Sequence, residues 1–261
     1  MIRFEHIERQ ATTLNASFIG AKPFPWLAID DFCDISRLRE LEGAVPDPVE
    51  AGINKSRDYV FARNKFEKSE FRTLGTDFAE LYEDLVSERF QRLVQRITGE
   101  DVFIDPAFHG GGIHQGGDGS YLDMHADFNM HPERANWFRN LNILLYLNRD
   151  WRPEYGGHLK LRHRESGEHA EIEPLFNRCV IMHTRAHTLH GYDRIHFPPG
   201  RYRRSIAAYA YTLVQERSAE ARSTIWYPED ANLSKRWLGL AWPRLVAIKR
   251  RFFGSRTAQN R

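Results

Sequence analysis

A long series of short, strand-like segments after residue 100 limits the possible folds of the chain more than any other feature. These segments are rich in β-branched and aromatic residues and are separated by Gly, Pro or Asn. The predicted strands are 102–104, 121–128, 139–148, 157–162, 178–183 and 202–214. Such a succession favours a β-sandwich or a jelly roll.

The first hundred residues show helical periodicity instead. Asp34 is a suitable N-cap for a helix over Ile35–Ala44. From Ser69 to Thr98 apolar residues recur at helical spacing, which predicts one long helix or two, ending at Gly99. The remaining N-terminal segments are predicted to be a strand over 24–33 and a loop over 45–64. We therefore expect helices to cover one side of the β-rich core.

Composition indicates one globular domain with decorations. The 261 residues are 41% hydrophobic and 13% aromatic. The formal net charge of +2 gives no reason to expect a nucleic-acid partner. Cys33 and Cys179 are far apart and form no disulfide framework, which favours a reducing compartment. The first ten residues lack the apolar region of a signal peptide, and no run of eighteen apolar residues occurs. These features predict a cytoplasmic location.

Two metal-binding residue types lie two positions apart within the predicted strand 121–128. Side chains at i and i+2 of a strand point to the same face, so His125 and Asp127 can reach one metal ion. Three histidines farther along the chain are candidates for a third ligand: His183, His187 and His190. We favour His190, with His187 next. Two histidines and one carboxylate leave three coordination positions open, as is typical of non-heme Fe(II) oxygenases.

The predicted strand 202–214 carries an arginine on one of its two faces. Arg203, Ser205, Ala207 and Tyr209 share that face, whereas Ile206 lies on the other. An inward Arg is costly to bury without a carboxylate partner, and its planar fork suits that partner. Arg203 is therefore a candidate anchor for the remote carboxylate of a 2-oxoglutarate-like ligand. The alternative is that Arg203 faces solvent and Ile206 marks the core.

These motifs together resemble the Fe(II)/2-oxoglutarate-dependent dioxygenases, and most closely their prolyl-hydroxylase-like branch. The shared features are H-x-D, a distal His followed by Gly, and R-x-S-I-x-x-Y-x-Y. The resemblance covers roughly residues 100–214, including Gly156-Gly157-His158-Leu159 and Tyr146-Leu147-Asn148. It implies a mainly β, α+β fold: a double-stranded β-helix core of the jelly-roll or cupin type. N-terminal helices would pack on one sheet, with a further helix at the C-terminus.

The resemblance also implies an activity and roles for individual residues. The activity is hydroxylation of an unactivated C–H bond, with oxidative decarboxylation of 2-oxoglutarate to succinate and CO2. Fe(II), 2-oxoglutarate and O2 are the implied cofactors. His125, Asp127 and His190 would bind iron. Arg203 and Tyr146 would bind the C5 carboxylate of 2-oxoglutarate, and Asn142, on the strand face of Tyr146, is predicted to line the same site.

Domain boundaries follow from the same patterns. Residues 1–215 are expected to form a single dioxygenase domain, with a helical part over 1–99 and the jelly-roll core over 100–215. Residues 216–261 would be a basic, helical extension. Within it, 233–253 is basic and amphipathic, which suits either a helix packed on the domain or peripheral contact with anionic lipid. The Gly-rich residues 109–120 are expected to form a flexible hairpin beside the site.

Two other classes of function compete with this hypothesis. One is a non-catalytic jelly-roll binding protein with a vestigial metal site. The other is a cupin-like metalloenzyme that uses another metal, in which Arg203 and Tyr146 would share no task. The substrate class is open from sequence alone: prolyl residues, free amino acids, natural products and glycans or lipid-linked groups all fit. The oligomeric state is not predicted.

Overall fold

The computed structural model describes residues 1–48, 54–55, 60–215, 221–228, 235 and 237–242. Its helices are α1 (Phe4–Gly20), α2 (Ile35–Gly43), α3 (Thr76–Val86) and α4 (Glu88–Thr98). The strands in the first half are β1 (Trp26–Ile29), β2 (Asn54–Lys55), β3 (Ala62–Lys68), β4 (Phe103–Ile104) and β5 (Gly112–Ala126). Those in the second half are β6 (Trp137–Tyr146), β7 (Leu159–His163), β8 (His169–Ile172), β9 (Cys179–His183), β10 (Thr188–Tyr192), β11 (Arg203–Leu213) and β12 (Ile225–Trp226).

Capping residues begin and end the helices that the sequence predicts. The Asp34 carboxylate accepts a hydrogen bond from the Arg37 amide at 3.0 Å, so α2 begins where expected. The predicted helical region 69–98 is divided at Ser87, whose hydroxyl caps α4 through the Phe90 amide. Gly99 ends α4 in the left-handed conformation. The two-helix form of the prediction is therefore confirmed.

All twelve strands join one antiparallel sheet that folds back on itself. Its main path is β1-β9-β6-β11-β5-β10-β7-β8, with β3 and β12 also paired to β5. Folding divides the sheet into two halves, one around β6 and β11 and one around β10 and β7. The fifteen-residue β5 belongs to both, because its beginning pairs with β11 and its end with β10. The result is a nearly closed jelly roll, and the predicted fold class is confirmed.

The helices pack on the outer face of one half of this sheet. The main core contains Leu38, Phe78, Leu81, Phe90, Leu93 and Ile97 from the helices and Leu141, Ile143, Leu145, Ile181 and Ile206 from the strands. A smaller cluster around Tyr146, Leu161 and Met182 lies on the inner side. The strand faces turned away from the helices are therefore free to form a cavity between the two halves.

Some expectations about individual segments are wrong. The predicted loop 45–64 contains β2 and the start of β3. The predicted Gly-rich hairpin 109–120 is largely the first half of β5, and Gly112 there lets the backbone of Lys68 approach too closely for any side chain. The sequence pattern does not predict the short strands β8 and β10, which have four and five residues.

The C-terminal extension is described only in part, and most of 233–253 lies outside the described residues. Residues 237–242 are helical, Lys235 forms an ion pair with Asp123 at 2.7 Å, and Trp242 packs edge-on against Phe61 at 5.4 Å. The described part thus contacts the domain, whereas lipid contact stays a prediction. No helix within the described ranges is long and apolar enough to cross a membrane.

Candidate metal centre

Two neighbouring strands bring together two histidines and one aspartate. His125 is near the end of β5, Asp127 follows that strand, and His190 is directly opposite His125 on β10. The potential ligand atoms of all three residues lie within 4.8 Å of one another. The H-x-D pair and the favoured third histidine therefore meet at one point, in the lining of a cavity.

Hydrogen bonds orient these side chains towards one another. The Nδ1–H of His125 donates to the Asp123 carbonyl at 2.9 Å, which leaves Nε2 with a lone pair for a metal. That Nε2 is 3.5 Å from Oδ1 of Asp127, and Nε2 of His190 is 3.4 Å from Oδ2. Burial and the nearby His125 lower the pKa of His190 to about 3, against the opposite effect of Asp127. The imidazole of His190 can therefore act as a neutral ligand at physiological pH.

The Asp127 carboxylate is held by a buried arginine and an asparagine. Nη2 of Arg139 donates to Oδ2 at 2.8 Å, and Nδ2 of Asn142 donates to the same oxygen at 2.9 Å. Arg139 also donates to Oδ1 of Asn142 and lies over the Tyr209 ring at 3.5 Å. Burial opposes ionisation of Asp127, but Arg139 and the histidines lower its pKa well below the usual value. Asp127 is thus an oriented anion whose Oδ1 is directed at His125.

An aromatic stack covers one side of the cluster. The Trp226 indole, on β12, lies nearly parallel to the His125 imidazole with ring centroids 4.7 Å apart. Phe61 stacks on Trp226 in turn, at 5.0 Å. Because β12 pairs with β5 at His125 itself, the C-terminal segment shields this histidine from water.

Arg203 lines the same cavity and contacts the buried Tyr146. Nε of Arg203 donates to the Gly157 carbonyl at 2.7 Å, and Nη2 donates to the Tyr146 hydroxyl at 3.3 Å. The guanidinium also lies over the Tyr192 ring at 4.3 Å. Arg203 is only 8% exposed, yet no acidic side chain in the described part of the chain pairs with it. Burial raises the pKa of Tyr146 despite the nearby cation, so the phenol remains a proton donor.

The cavity that joins these groups has a volume of about 270 Å³. Its lining includes the three clustered residues, Arg203, Asn142, Trp226 and a polar wall formed by Lys65, Glu67 and His114. Lys65 and Glu67 come from β3. One wall of the cavity is therefore polar.

The other two candidate histidines lie elsewhere. His183 contacts Glu100 at 3.0 Å and packs edge-on against Phe18. His187 lies beside His163, with ring centroids 4.8 Å apart. Neither is brought to the His125–Asp127 pair, so among the three only His190 joins it.

Sequence reasoning misses several residues around the cluster. One of them is Arg139, the cation that holds Asp127. Strand alternation puts Arg139 on the core side with Leu141, but a register shift between β6 and β11 turns it inward. Nothing in the pattern marks Trp226, Lys65 or Glu67, since their position depends on which strands pair with β5.

The residues fit a divalent metal of the Fe(II) type. Two imidazole nitrogens and one ionised carboxylate are a ligand set that suits Fe(II) and leaves coordination positions open. His125 already has its Nδ1 proton engaged, as metal-bound histidines commonly do. The buried Arg203 in the same cavity fits an anionic cosubstrate such as 2-oxoglutarate.

Comparisons with known proteins give a consistent family and fold. Residues 111–211 match the family model described as the 2OG-Fe(II) oxygenase superfamily. None of the curated proteins compared with the chain matches it. The region that matches the family model contains His125, Asp127, His190, Arg203 and Tyr146.

Solved structures of prolyl hydroxylases share the fold. One is a prolyl hydroxylase from Trichoplax adhaerens in complex with a peptide fragment of hypoxia inducible factor, with 16% identity and a TM-score of 0.60 over 80% of this chain and 92% of that one. Another is a prolyl-4-hydroxylase from Pseudomonas putida, with 16% identity and a TM-score of 0.53 over 77% of this chain and 98% of that one. At this identity the likeness concerns the fold alone.

The resemblance noted from sequence is thus confirmed, together with the enzyme class and its cofactors, whereas the role of each site residue stays a prediction. Residues 111–211 match the 2OG-Fe(II) oxygenase superfamily, and the chain is a dioxygenase that uses Fe(II), 2-oxoglutarate and O2.

Proposed function

We propose that the chain is a hydroxylase in which His125, Asp127 and His190 bind Fe(II), while Arg203 and Tyr146 bind the C5 carboxylate of 2-oxoglutarate. One observation carries the proposal: a buried arginine without an acidic partner among the described residues lies in the same cavity as the His–Asp–His cluster. A buried cation of this kind calls for an anion that arrives with a ligand.

The neighbouring residues support this division of tasks. The Gly157 carbonyl accepts from Nε of the guanidinium, the Tyr146 hydroxyl accepts from Nη2, and Arg203 lines the cavity. The neutral Tyr146 hydroxyl can donate a hydrogen bond to the same carboxylate. Asn142 contributes through Asp127, since its amide donates to Oδ2 of that carboxylate. Asn142 would therefore orient an iron ligand and only secondarily line the cosubstrate site.

When bound, Fe(II) would activate O2 for the oxidative decarboxylation of 2-oxoglutarate to succinate and CO2, coupled to hydroxylation of a substrate C–H bond. The chain supplies position and a site from which water is largely excluded. Trp226 and Phe61 shield His125 from water, and Arg139 partly neutralises the Asp127 carboxylate through Oδ2.

Anaerobic titration with Fe(II) and 2-oxoglutarate tests the ligand assignment. We expect a weak visible charge-transfer band in the unmodified protein and no such band in His125→Ala or Asp127→Ala. Arg203→Ala should weaken the binding of 2-oxoglutarate by roughly tenfold or more, with a much smaller effect on the metal. His187→Ala is the matched control, because His187 lies outside the cluster. A band that persists in both ligand variants would refute the assignment, and an unchanged 2-oxoglutarate affinity in Arg203→Ala would exclude Arg203 as the anchor.

A further inference from the structure

An ion pair on β3 forms part of the cavity wall near the proposed cosubstrate anchor. The strands β3, β5 and β11 are adjacent, and in register Lys65 is opposite Gly116, which is opposite Arg203. Glu67 is likewise opposite His114, which is opposite Ser205. Residues opposite one another in a sheet share a face, so Lys65 and Glu67 project to the side of Arg203, about 10 Å away across two strand spacings.

The pair is charged at neutral pH. Nζ of Lys65 is 2.6 Å from Oε1 of Glu67, and the side chains are only 17% and 33% exposed. Burial opposes ionisation of Glu67, but the Lys65 ammonium outweighs it and lowers the pKa of Glu67 to about 2. The cavity wall therefore presents a cation and an anion side by side.

His114 adds a neutral hydrogen-bonding group beside the pair. Burial and the Lys65 charge lower the pKa of His114 to about 3. Its Nε2 is 3.2 Å from the Gly110 carbonyl, which can only accept, so Nε2 carries the proton and Nδ1 is an acceptor. The wall thus offers a donor, an anionic acceptor and a neutral acceptor in one small area.

This chemistry limits which substrates fit in the cavity. An apolar ring pressed against Lys65 and Glu67 would remove water from two charges and replace none of their hydrogen bonds. A substrate with a donor and an acceptor on neighbouring atoms would keep both charges hydrogen-bonded: its acceptor meets the ammonium and its donor meets the carboxylate.

We propose that Lys65 and Glu67 recognise the substrate, and that this substrate is a small polar molecule with a hydrogen-bond donor and an acceptor on neighbouring atoms. Free amino acids and amino sugars or other vicinally substituted sugars are two sources of that shared chemistry. The inference rests on the proposed function, because it presumes that the reaction takes place at the His–Asp–His cluster.

A succinate-release assay with three groups of compounds identifies the source. The groups are free amino acids, amino sugars with neutral sugars, and proline-containing peptides blocked at both ends. We expect stimulation of succinate release by a member of the first or second group. For an amino acid, blocking its amine and carboxylate should abolish the stimulation; for a sugar, methylation of the neighbouring hydroxyls should do so. Stimulation by the blocked peptides alone would overturn the proposal.

Substitutions at the pair test its role directly. Lys65→Met and Glu67→Gln should each raise the Michaelis constant for the stimulating substrate roughly tenfold or more, with less than about a twofold change in the Michaelis constant for the cosubstrate. The double variant Lys65→Met/Glu67→Gln removes both charges and leaves neither one buried alone, so it serves where a single variant fails to fold. Lys160→Met is the matched control, since Lys160 forms an ion pair with Asp193 outside this cavity.

The outcomes separate this inference from the proposed function. One outcome is that the unmodified protein binds Fe(II) and 2-oxoglutarate while the Michaelis constant for the substrate is insensitive to both substitutions. In that case the proposed role of Lys65 and Glu67 is wrong, and the proposed hydroxylase function is unaffected. A rise in the Michaelis constant for the cosubstrate instead would place Lys65 at the cosubstrate and also overturn the inference. Failure to bind metal and 2-oxoglutarate at all would refute the proposed function itself.

Discussion

At the scale of single residues, the environment of Asp127 shows how a buried carboxylate is prepared for a metal. Arg139 is 1% exposed and donates to Oδ2 of Asp127, as does Asn142. Oδ2 thereby accepts two hydrogen bonds and lies 3.4 Å from Nε2 of His190, whereas Oδ1 accepts neither of these bonds and lies 3.5 Å from Nε2 of His125. This arrangement favours binding of a metal through one oxygen only, and it stabilises the carboxylate when no metal is bound.

The Arg139→Met variant should therefore lose stability chiefly in the metal-free state. Removing the cation leaves a buried, uncompensated anion, which typically costs about 3–5 kcal/mol. A bound divalent cation would restore part of the lost charge balance, so the stabilisation by Mn(II) or Fe(II) should be larger in the variant than in the unmodified protein. Urea unfolding with and without metal measures both effects. Arg92→Met is the control, because Arg92 is 66% exposed and its pair with Glu88 contributes little. Equal stabilisation by metal in Arg139→Met and the unmodified protein would contradict this account.

At the scale of elements, the site depends on how closely β10 approaches β5. Gly191 lies between His190 and Tyr192, and a Cβ there would be 2.5 Å from the Leu122 carbonyl oxygen and 3.0 Å from Asp123. The absence of a side chain at Gly191 is thus what allows His190 to reach His125 across the two strands.

We expect Gly191→Ala to abolish or strongly weaken metal binding while most of the fold remains. The added methyl group must push β10 away from β5, and that movement separates the imidazole of His190 from the side chains of the other two residues. Metal titration reports the loss, and circular dichroism reports whether the sheet persists. Gly20→Ala is the matched control, since a Cβ at Gly20 meets no atom within 4 Å. Metal affinity within about twofold of the unmodified protein in Gly191→Ala would show that the strands can adjust.

The elements also show which features of the fold can be predicted from sequence. The long strands β6 and β11 are predicted almost in full, because one face of each is packed against the helices and the apolar alternation is clear. In contrast, the sequence pattern predicts a loop at the start of β3. The inner face of β3 carries Lys65 and Glu67, so two charged side chains interrupt the apolar pattern by which strands are recognised.

Some residues of the candidate site can likewise be predicted from sequence, and others cannot. His125 and Asp127 share a face whatever the tertiary structure, so a strand alone suffices to predict that pair. The choice of His190 over His187 relies on the family resemblance and on the expectation that the chain returns to the metal site near His190. The register of β10 places His190 opposite His125. Arg139 and Trp226 escape prediction, since one depends on a register shift and the other on a segment that pairs with β5 from beyond the core.

At the scale of the whole molecule, the helical part and the jelly roll are joined by buried hydrogen bonds as well as by apolar packing. Asn177, just before β9, accepts from the Cys33 amide at 2.8 Å and donates to the Cys33 carbonyl at 2.9 Å. Its own backbone carbonyl accepts from Phe32, and its amide donates to Tyr146. Asn177 thus connects the segment before α2 to the strand that carries a proposed cosubstrate residue. This connection favours one cooperative unit over residues 1–215, as the sequence predicts.

Asn177→Ala should destabilise that entire unit. The variant leaves a buried N–H and a buried C=O of Cys33 without partners, a loss of about 2–4 kcal/mol, and it places Ala at a φ of 64°, which favours Asn or Gly. Asn177→Gly tolerates that φ and loses only the hydrogen bonds, so it should be destabilised by about 1–2 kcal/mol less. Urea unfolding followed by far-ultraviolet circular dichroism and by tryptophan fluorescence should give coincident curves that shift together in both variants. The helices dominate the circular dichroism signal, and Trp137, Trp151 and Trp226 of the sheet region contribute to the fluorescence. Two separated transitions would therefore mean that the helical part and the jelly roll unfold independently. The single-domain prediction would then be wrong.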